Sequence, residues 1–562
     1  MKHMARRVGA PGVLLAAILL GLSSVTLRAQ EAPQASARLQ AQVADALAAY
    51  RAPARSATVD YGAAQALHTV YAQRNNALLW SRDGHLTTQA QAVIRELQQA
   101  GSYGLESRDY AAESLRKLSE SPAGTDADAS RLDVQLSGAA LRFLSDLHYG
   151  RVKPSAAGFN LQGTREPVDL PAALTGLAAA SDVIRAIGAA EPPFHHYALL
   201  KSALAKYLDL AQHPELEHLP AISASVKPGD RYEGAPALRA LLTALGDMPA
   251  ASSAAADEEI FGAELSAGVR AFQERHGMAA DGVLGKSTLA ALTTPFTKRV
   301  RQIDLTLERW RWLPPFRTPP IIVNIPQFRL FAFRTTEDRV ADILQMDVIV
   351  GKTYPRTQTP VFESDMRYVV FRPYWDVPAS ILRNEMLPKI RANPGYLAAQ
   401  RLQIVNGQRD DSPVVPPSPE AIQGLAAGSY RLRQMPGEDN ALGLVKFMFP
   451  NTYSVYLHST PAHRLFNESV RAFSHGCIRV SDPLALATYV MRDEPGDWTR
   501  EKIDATMNQG DRTVRVNLQR PITVLILYGT ALATEAGPIQ FFADLYGYDR
   551  KLEQQLGLPP AH

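Results

Sequence analysis

The sequence predicts a multidomain α+β protein: a mainly helical N-terminal region, a small helical module, and a mainly β C-terminal domain with a helical lid inserted in it. Between Thr88 and Gly246, apolar residues recur at helical spacing and stop at glycines. A run of small and acidic residues, Ala250 to Glu259, then interrupts the chain as a linker. Beyond residue 320 the apolar stretches shorten to strand length. Composition agrees, with 46% apolar and 20% charged residues in a 562-residue chain that has room for several cores. The balance of 59 Lys and Arg against 56 Asp and Glu leaves only +3, so no polycationic surface for nucleic acid is implied.

At the N-terminus, Lys2, Arg6 and Arg7 precede the apolar run Val13 to Leu22, short for a bilayer span but suited to a signal-peptide core. Leu27-Arg-Ala29 before Gln30 is an acceptable cleavage site, so residues 1–29 are read as a signal peptide, with an uncleaved anchor as the alternative. The mature chain is then exported and has no stable membrane span. Residues 30–250 read as a helical scaffold. Its patterns are Ala90, Val93, Ile94, Leu97 and Ala100; Leu132, Leu136, Ala140, Phe143 and Leu147; and Leu238, Leu241, Leu242 and Leu245. The pair His195-His196 has no third ligand nearby and adjacent side chains diverge, so no metal site is read there. Residues 256–297 form the small module, with helices at Ala267 to Gly277 and Gly285 to Leu292, a turn at Asp281-Gly282, and Ser287 available as a cap.

Residues 300–510 form the mainly β domain. Glu308-Arg-Trp-Arg-Trp-Leu-Pro-Pro315 opens it, Ile321 to Ile325 and Phe328 to Phe333 read as strands around Pro326-Gln327, and Gln345 to Val350 and Met366 to Phe371 as two more. The loop Arg372 to Pro378 places Tyr374 and Trp375 where they could line a substrate cleft. Ser380 to Ala399 looks helical, and the following stretch carries Pro413, Pro416 and Pro417, so residues 379–435 are read as a lid. Asn451 to His458 alternates well enough to be a strand, and Val445 to Pro450 and Ser454 to His458 return to the sheet. Within residues 511–562, Thr513 to Val516 and Ile522 to Tyr528 are late strands completing the fold.

The chemistry centres on Cys477, the one cysteine of the chain. A free cysteine is often an inert buried residue, but an exported protein that keeps a single thiol is more plausibly using it. A nucleophilic thiol needs a base, an orienter for that base, and donors for an oxyanion. His475 and His458 are at hand, and Gly476 lets the backbone approach a carbonyl, so the amides of Gly476 and Cys477 could form the oxyanion hole. If Cys477 to Val480 is extended, Cys477 and Arg479 share one face and Ile478 and Val480 the other.

His458-Ser-Thr-Pro461 followed by Ser474-His-Gly-Cys-Ile-Arg479 resembles the signature of the L,D-transpeptidases, cysteine enzymes that crosslink peptidoglycan. The resemblance implies Cys477 as nucleophile, His458 as general base and Ser459 as its backbone orienter. It also implies His475 and Gly476 at the oxyanion site, and Ser474 and Arg479 in contact with substrate; a salt bridge holding the loop is the alternative for Arg479. Asn75 to Trp80, His148 to Pro154 and Leu545-Tyr-Gly547 look like pieces of the large periplasmic members, which carry a capping subdomain. Phe272-Gln273, His276-Gly277, Asp281-Gly282 and Gly285 resemble the three-helix peptidoglycan-binding module. The implied substrate is peptidoglycan stem peptides, with no cofactor and no metal. Cell-wall synthesis or remodelling enzymes are the implied partners, a role in cell shape follows, and carbapenems would acylate Cys477. Three other readings compete: a zinc site of His458, His463, His475 and Cys477, a non-catalytic wall-binding scaffold, and an unrelated cysteine peptidase.

Overall fold

The computed structural model describes residues 22–53, 61–120, 124–161, 165–249, 259–336, 343–354, 357–510, 512–535 and 537–559, with side chains from Ser36 onward. The signal-peptide expectation for residues 1–29 lies for the most part outside them, as does nearly all of the linker at Ala250 to Glu259. Among the described residues, no helix is long and apolar enough to cross a membrane.

The N-terminal region folds around the helix Asp126–Tyr149, which starts at a capping box of Thr125 and Asp128 and stops at Gly150, φ 78°. Its buried face gathers Leu132, Leu136, Ala140, Phe143 and Leu147 with Leu67, Trp80, Val93 and Leu97 of the neighbouring helices and loop. A buried carboxylate shapes the segment before the helix Thr88–Gln98. Asp133 accepts from the Leu79 and Trp80 amides at 2.9 and 2.7 Å and from the Tyr71 hydroxyl at 2.5 Å, so donors that would otherwise be orphaned are satisfied.

The third helical pattern belongs to a different core. Leu238, Leu241, Leu242 and Leu245 pack with Phe261, Val269, Phe272, Leu284 and Leu292 of the small module and with Phe541 near the C-terminus. The module is therefore embedded in the body of the molecule. Its second helix, Lys286–Leu292, has Gly285 at the N-cap and no side-chain cap, so Ser287 does not play the capping part expected of it.

A nine-stranded sheet forms the C-terminal domain. Its strands in chain order are β1 (Ile321–Asn324), β2 (Arg329–Ala332), β3 (Leu344–Gly351), β4 (Phe362–Phe371), β5 (Val445–Met448), β6 (Leu457–His458), β7 (Ala472–Ser474), β8 (Ile478–Val480) and β9 (Val514–Leu527). They lie in the order β7-β3-β8-β6-β5-β4-β9-β1-β2, and β2 also pairs with β3, so the sheet closes on itself. One face buries Val348, Val350, Val369, Phe371, Val445, Phe447, Leu457, Ile478 and Val480. The alternate residues of the same strands form the other face, which carries the candidate site.

The lid, expected to be helical, is built of strands as well as helices. Strands Trp375–Asp376, Leu402–Val405, Val414–Val415 and Arg431–Gln434 make an antiparallel sheet, packed on helices Leu387–Ala392 and Pro419–Ala427 through its own core of Ile390, Leu397, Ile404, Leu425 and Leu432. Tyr374 and Trp375 thus stand where the chain enters the lid. Trp375 packs on that core, and the Arg433 guanidinium lies 4.3 Å over the Tyr374 ring.

Candidate active site

Parallel pairing of β6 with β8 sets Leu457 opposite Ile478 and His458 opposite Arg479. On the other side of β6, antiparallel pairing sets Lys446 of β5 opposite His458. One row across the sheet therefore reads Arg479, His458, Lys446, Val370, Arg515. Cys477 and Tyr456 stand two residues before Arg479 and His458, just ahead of β8 and β6, and the Ile478 amide donates to the Tyr456 carbonyl at 3.1 Å.

His458 is buried, and its Nδ1–H donates to the Ser459 carbonyl at 2.5 Å. That bond assigns the tautomer and leaves Nε2 as the proton acceptor. Ser459 is held from behind by Gly443, whose backbone, at φ 59°, comes so close that a Cβ there would meet the Ser459 Oγ at 2.5 Å. Burial, then the Arg479 cation and, more weakly, Lys446, push the imidazole down to about 3, so the ring is neutral at physiological pH.

The Cys477 thiol is partly exposed and donates to the Ser454 carbonyl at 3.6 Å. Burial raises its pKa, against hydrogen bonds from Tyr456 and the nearby Arg479 cation, which favour the thiolate. Both groups of the pair therefore rest uncharged.

The turn before the thiol is fixed by two hydroxyls. Gly476 has φ 119°, a conformation that L side chains rarely adopt. Thr359, fully buried, accepts from the Gly351 amide at 2.9 Å and donates to the Gly476 carbonyl at 2.8 Å. Ser474 is also buried; it donates to the Cys477 carbonyl at 2.5 Å and accepts from the Gly476 amide at 3.1 Å. Two expectations change as a result. Ser474 faces inward and braces the turn, where the sequence reading put it against substrate. The Gly476 N–H, expected in the oxyanion hole, is spent on Ser474. With the Gly476 carbonyl held by Thr359, the planar peptide directs the Cys477 N–H the opposite way.

His475 also departs from expectation. Its exposed ring faces the lid, where Nε2 lies 2.7 Å from the Glu385 carboxylate. Arg479 makes no ion pair among the described residues, and its Nε is buried without a partner. The salt bridge considered for it is therefore missing there. His463 lies in the turn His463–Asn467, and among the described residues no three His, Cys, Asp or Glu side chains are grouped to hold a metal.

Sequence reasoning missed Thr359, Tyr456, Lys446 and Gly443. For Lys446 the signal was available, since it occupies the non-core parity of β5, whose alternate residues Val445 and Phe447 are apolar; Tyr456 falls just ahead of β6. Thr359 and Gly443 come from loops far along the chain, and no local pattern marks them.

A thiol just ahead of β8 and a neutral imidazole on the adjacent β6, with a backbone N–H beside the thiol, are the parts of a cysteine-nucleophile site. Residues 319–516 match the family model of the L,D-transpeptidase catalytic domain. Residues 65–204 match a scaffold domain, and residues 231–292 a domain described as "Putative peptidoglycan binding domain". A Haemophilus influenzae protein named "Putative L,D-transpeptidase" is 32% identical over 283 residues, 49% of this chain and 54% of that one. The chain thus spans about half the length of the curated relative it matches. Residues 319–516 are thus similar to the L,D-transpeptidase catalytic domain.

Proposed function

We propose that the protein is a peptidoglycan L,D-transpeptidase with Cys477 as its nucleophile. The observation that carries this reading is the registration of His458 beside the Cys477 strand, on one face of the sheet and below the lid. His458 Nε2 takes the thiol proton as the sulfur attacks the carbonyl on the L-centre of the third stem residue. The Cys477 N–H is the donor for the oxyanion. The C–N bond breaks, the His458 proton passes to the leaving nitrogen, terminal D-alanine departs, and a thioester remains. A second stem's side-chain amine then attacks the thioester, giving a bond between two third residues. Water in its place gives carboxypeptidase activity, and an amine of a wall protein gives anchoring. The thioester conserves the energy of the lost peptide bond, so no nucleotide is consumed.

Transfer over hydrolysis needs partial exclusion of water, which we assign to the lid. Carbapenems acylate the same thiol. The basic and apolar N-terminus and the wall-binding module support work in the periplasm after signal-peptide removal, alongside enzymes of wall synthesis and remodelling.

The test is intact-mass analysis of the mature protein after incubation with purified tetrapeptide muropeptide, beside Cys477→Ala. An adduct on the wild type alone, with a dimer joined through third residues, is the expected result. Tripeptide without dimer would leave a carboxypeptidase. With neither adduct nor product, a non-catalytic scaffold becomes the better reading.

A further inference from the structure

His458 lies between two cations. Arg479 is its partner on β8, the strand that follows Cys477, and Lys446 is its partner on β5, the strand away from the thiol. Among the described residues, the Lys446 ammonium makes no hydrogen bond or ion pair, although the side chain is half-buried and feels the lid carboxylates of Asp376 and Asp410, the Arg515 cation and the Cys477 thiol. Asp376 itself is engaged with Arg431. A desolvated ammonium left without a partner is costly, and a bound anion would remove that cost.

The order of strands says which anion. During acylation the acyl carbon is bonded to the sulfur over β8, and the leaving nitrogen must meet His458 Nε2 over β6. The donor peptide therefore crosses the strands in the direction β8, β6, β5. β5 lies two strand spacings, roughly 10 Å, from β8, and one residue spans roughly 3.5 Å, so the group one residue beyond the scissile carbonyl comes toward β6, and the four-carbon stem of Lys446 covers the remaining distance from β5. In the donor named above, that group is the α-carboxylate of the leaving residue.

We infer that Lys446 is the binding residue for the free α-carboxylate of the residue that is expelled, and so sets the preference for donors ending one residue past the attacked carbonyl. This rests on the transpeptidase reading. It adds to it a requirement for a terminal carboxylate, a point that neither the nucleophile nor the base determines. Neutralising Lys446 also removes one of the two cations that hold down the proton affinity of His458. A bound donor thereby makes the imidazole a better base at the moment it is needed.

The experiment compares two tetrapeptide donors, one with a terminal carboxylate and one with a terminal carboxamide. Thioester formation is followed by intact mass in the full chain, in Lys446→Met and in Lys446→Arg. The wild type prefers the carboxylate in kcat/KM by roughly 10- to 100-fold, the range of one charge-assisted hydrogen bond. In Lys446→Met, which keeps the length of the side chain, the preference falls to near unity; Lys446→Arg retains most of it. Equal losses for both donors in Lys446→Met, with the preference kept and the pH profile displaced, would mean that Lys446 acts on the base only and would overturn the assignment. Failure of the wild type to form a thioester with either donor would remove the transpeptidase reading, and this one with it. Thermal melting of both variants separates loss of fold from loss of recognition.

Discussion

The reactive turn is held by single hydroxyls, and its behaviour should follow from them. Thr359→Val removes the Gly476 contact and strands a buried carbonyl and the Gly351 amide. Each stranded group costs about 1–3 kcal/mol, and the Cys477 N–H loses its aim. Acylation by a carbapenem should slow by about 10-fold or more, by analogy with loss of one oxyanion donor, while Thr359→Ser keeps both bonds and most of the rate. Mass spectrometry of acylation time courses checks the rate, and urea denaturation the stability. The resting charge state is a second consequence. Since the imidazole is pushed down to about 3 and the thiol is pushed up, thiolate should appear only above the ordinary thiol range near 8.5. Absorbance at 240 nm should therefore be flat from pH 5 to 8 and rise beyond; a step on the acid side would indicate a thiolate–imidazolium pair and contradict this. At this scale the proposed nucleophile and base stand out in the sequence, because His, Gly and Cys at that spacing have few other uses. The brace was not: Thr359 is 118 residues before Cys477, and only the closure of the sheet brings them together.

Strand periodicity was a good guide wherever one face is apolar, as in β3, β4 and β5. It failed at Asn451 to His458, where the alternation suggested one strand but only Leu457–His458 is paired. Asn451 explains the difference. Its side chain accepts from the Tyr453 and Val455 amides and donates to the Phe449 and Val455 carbonyls, and Ser454 has φ 57°, so the segment turns before it extends. The lid strands escaped notice for another reason: Arg431 to Gln434 is mostly polar and is a strand because Leu402–Val405 pairs with it. The lid meets the reactive turn through Glu385, which lies in a π-helical turn, Leu382–Met386, and contacts His475. The pair is largely exposed, so it should add less than about 1 kcal/mol to stability. Glu385→Ala should therefore leave the melting temperature almost unchanged while raising the share of thioester lost to water, measured as tripeptide relative to dimer. An unchanged product ratio would mean that the contact does not help to seat the lid.

The whole molecule is joined by one helix. In Phe296–Arg311 the charged residues that the sequence marked only as the opening of the β domain turn inward. Glu308 accepts from the Arg151 and Val152 amides of the N-terminal region and pairs with Arg311 at 3.3 Å; Arg311 is fully buried and donates to the Tyr103 carbonyl and the Tyr197 hydroxyl; Arg309 pairs with Asp549 of the C-terminal helix at 2.6 Å. The C-terminal tail reaches the reactive turn as well, since the Tyr546 hydroxyl donates to the Gly351 carbonyl at 2.6 Å, next to Thr359. Composition and periodicity divided the chain into successive domains, and they could not reveal these contacts because charged residues read as solvated until their partners are known. The joint implies that the N-terminal region and the catalytic sheet lose structure together. Glu308→Ala leaves Arg311 buried without its carboxylate and two amides without an acceptor, at a cost of about 3–5 kcal/mol. Hydrogen exchange read by mass spectrometry on peptides covering residues 132–147 and 478–491 should then show protection falling by a similar amount in both. A loss confined to the first peptide, with the second and the reactivity of Cys477 unaltered, would mean that the sheet holds the reactive turn without the scaffold's help.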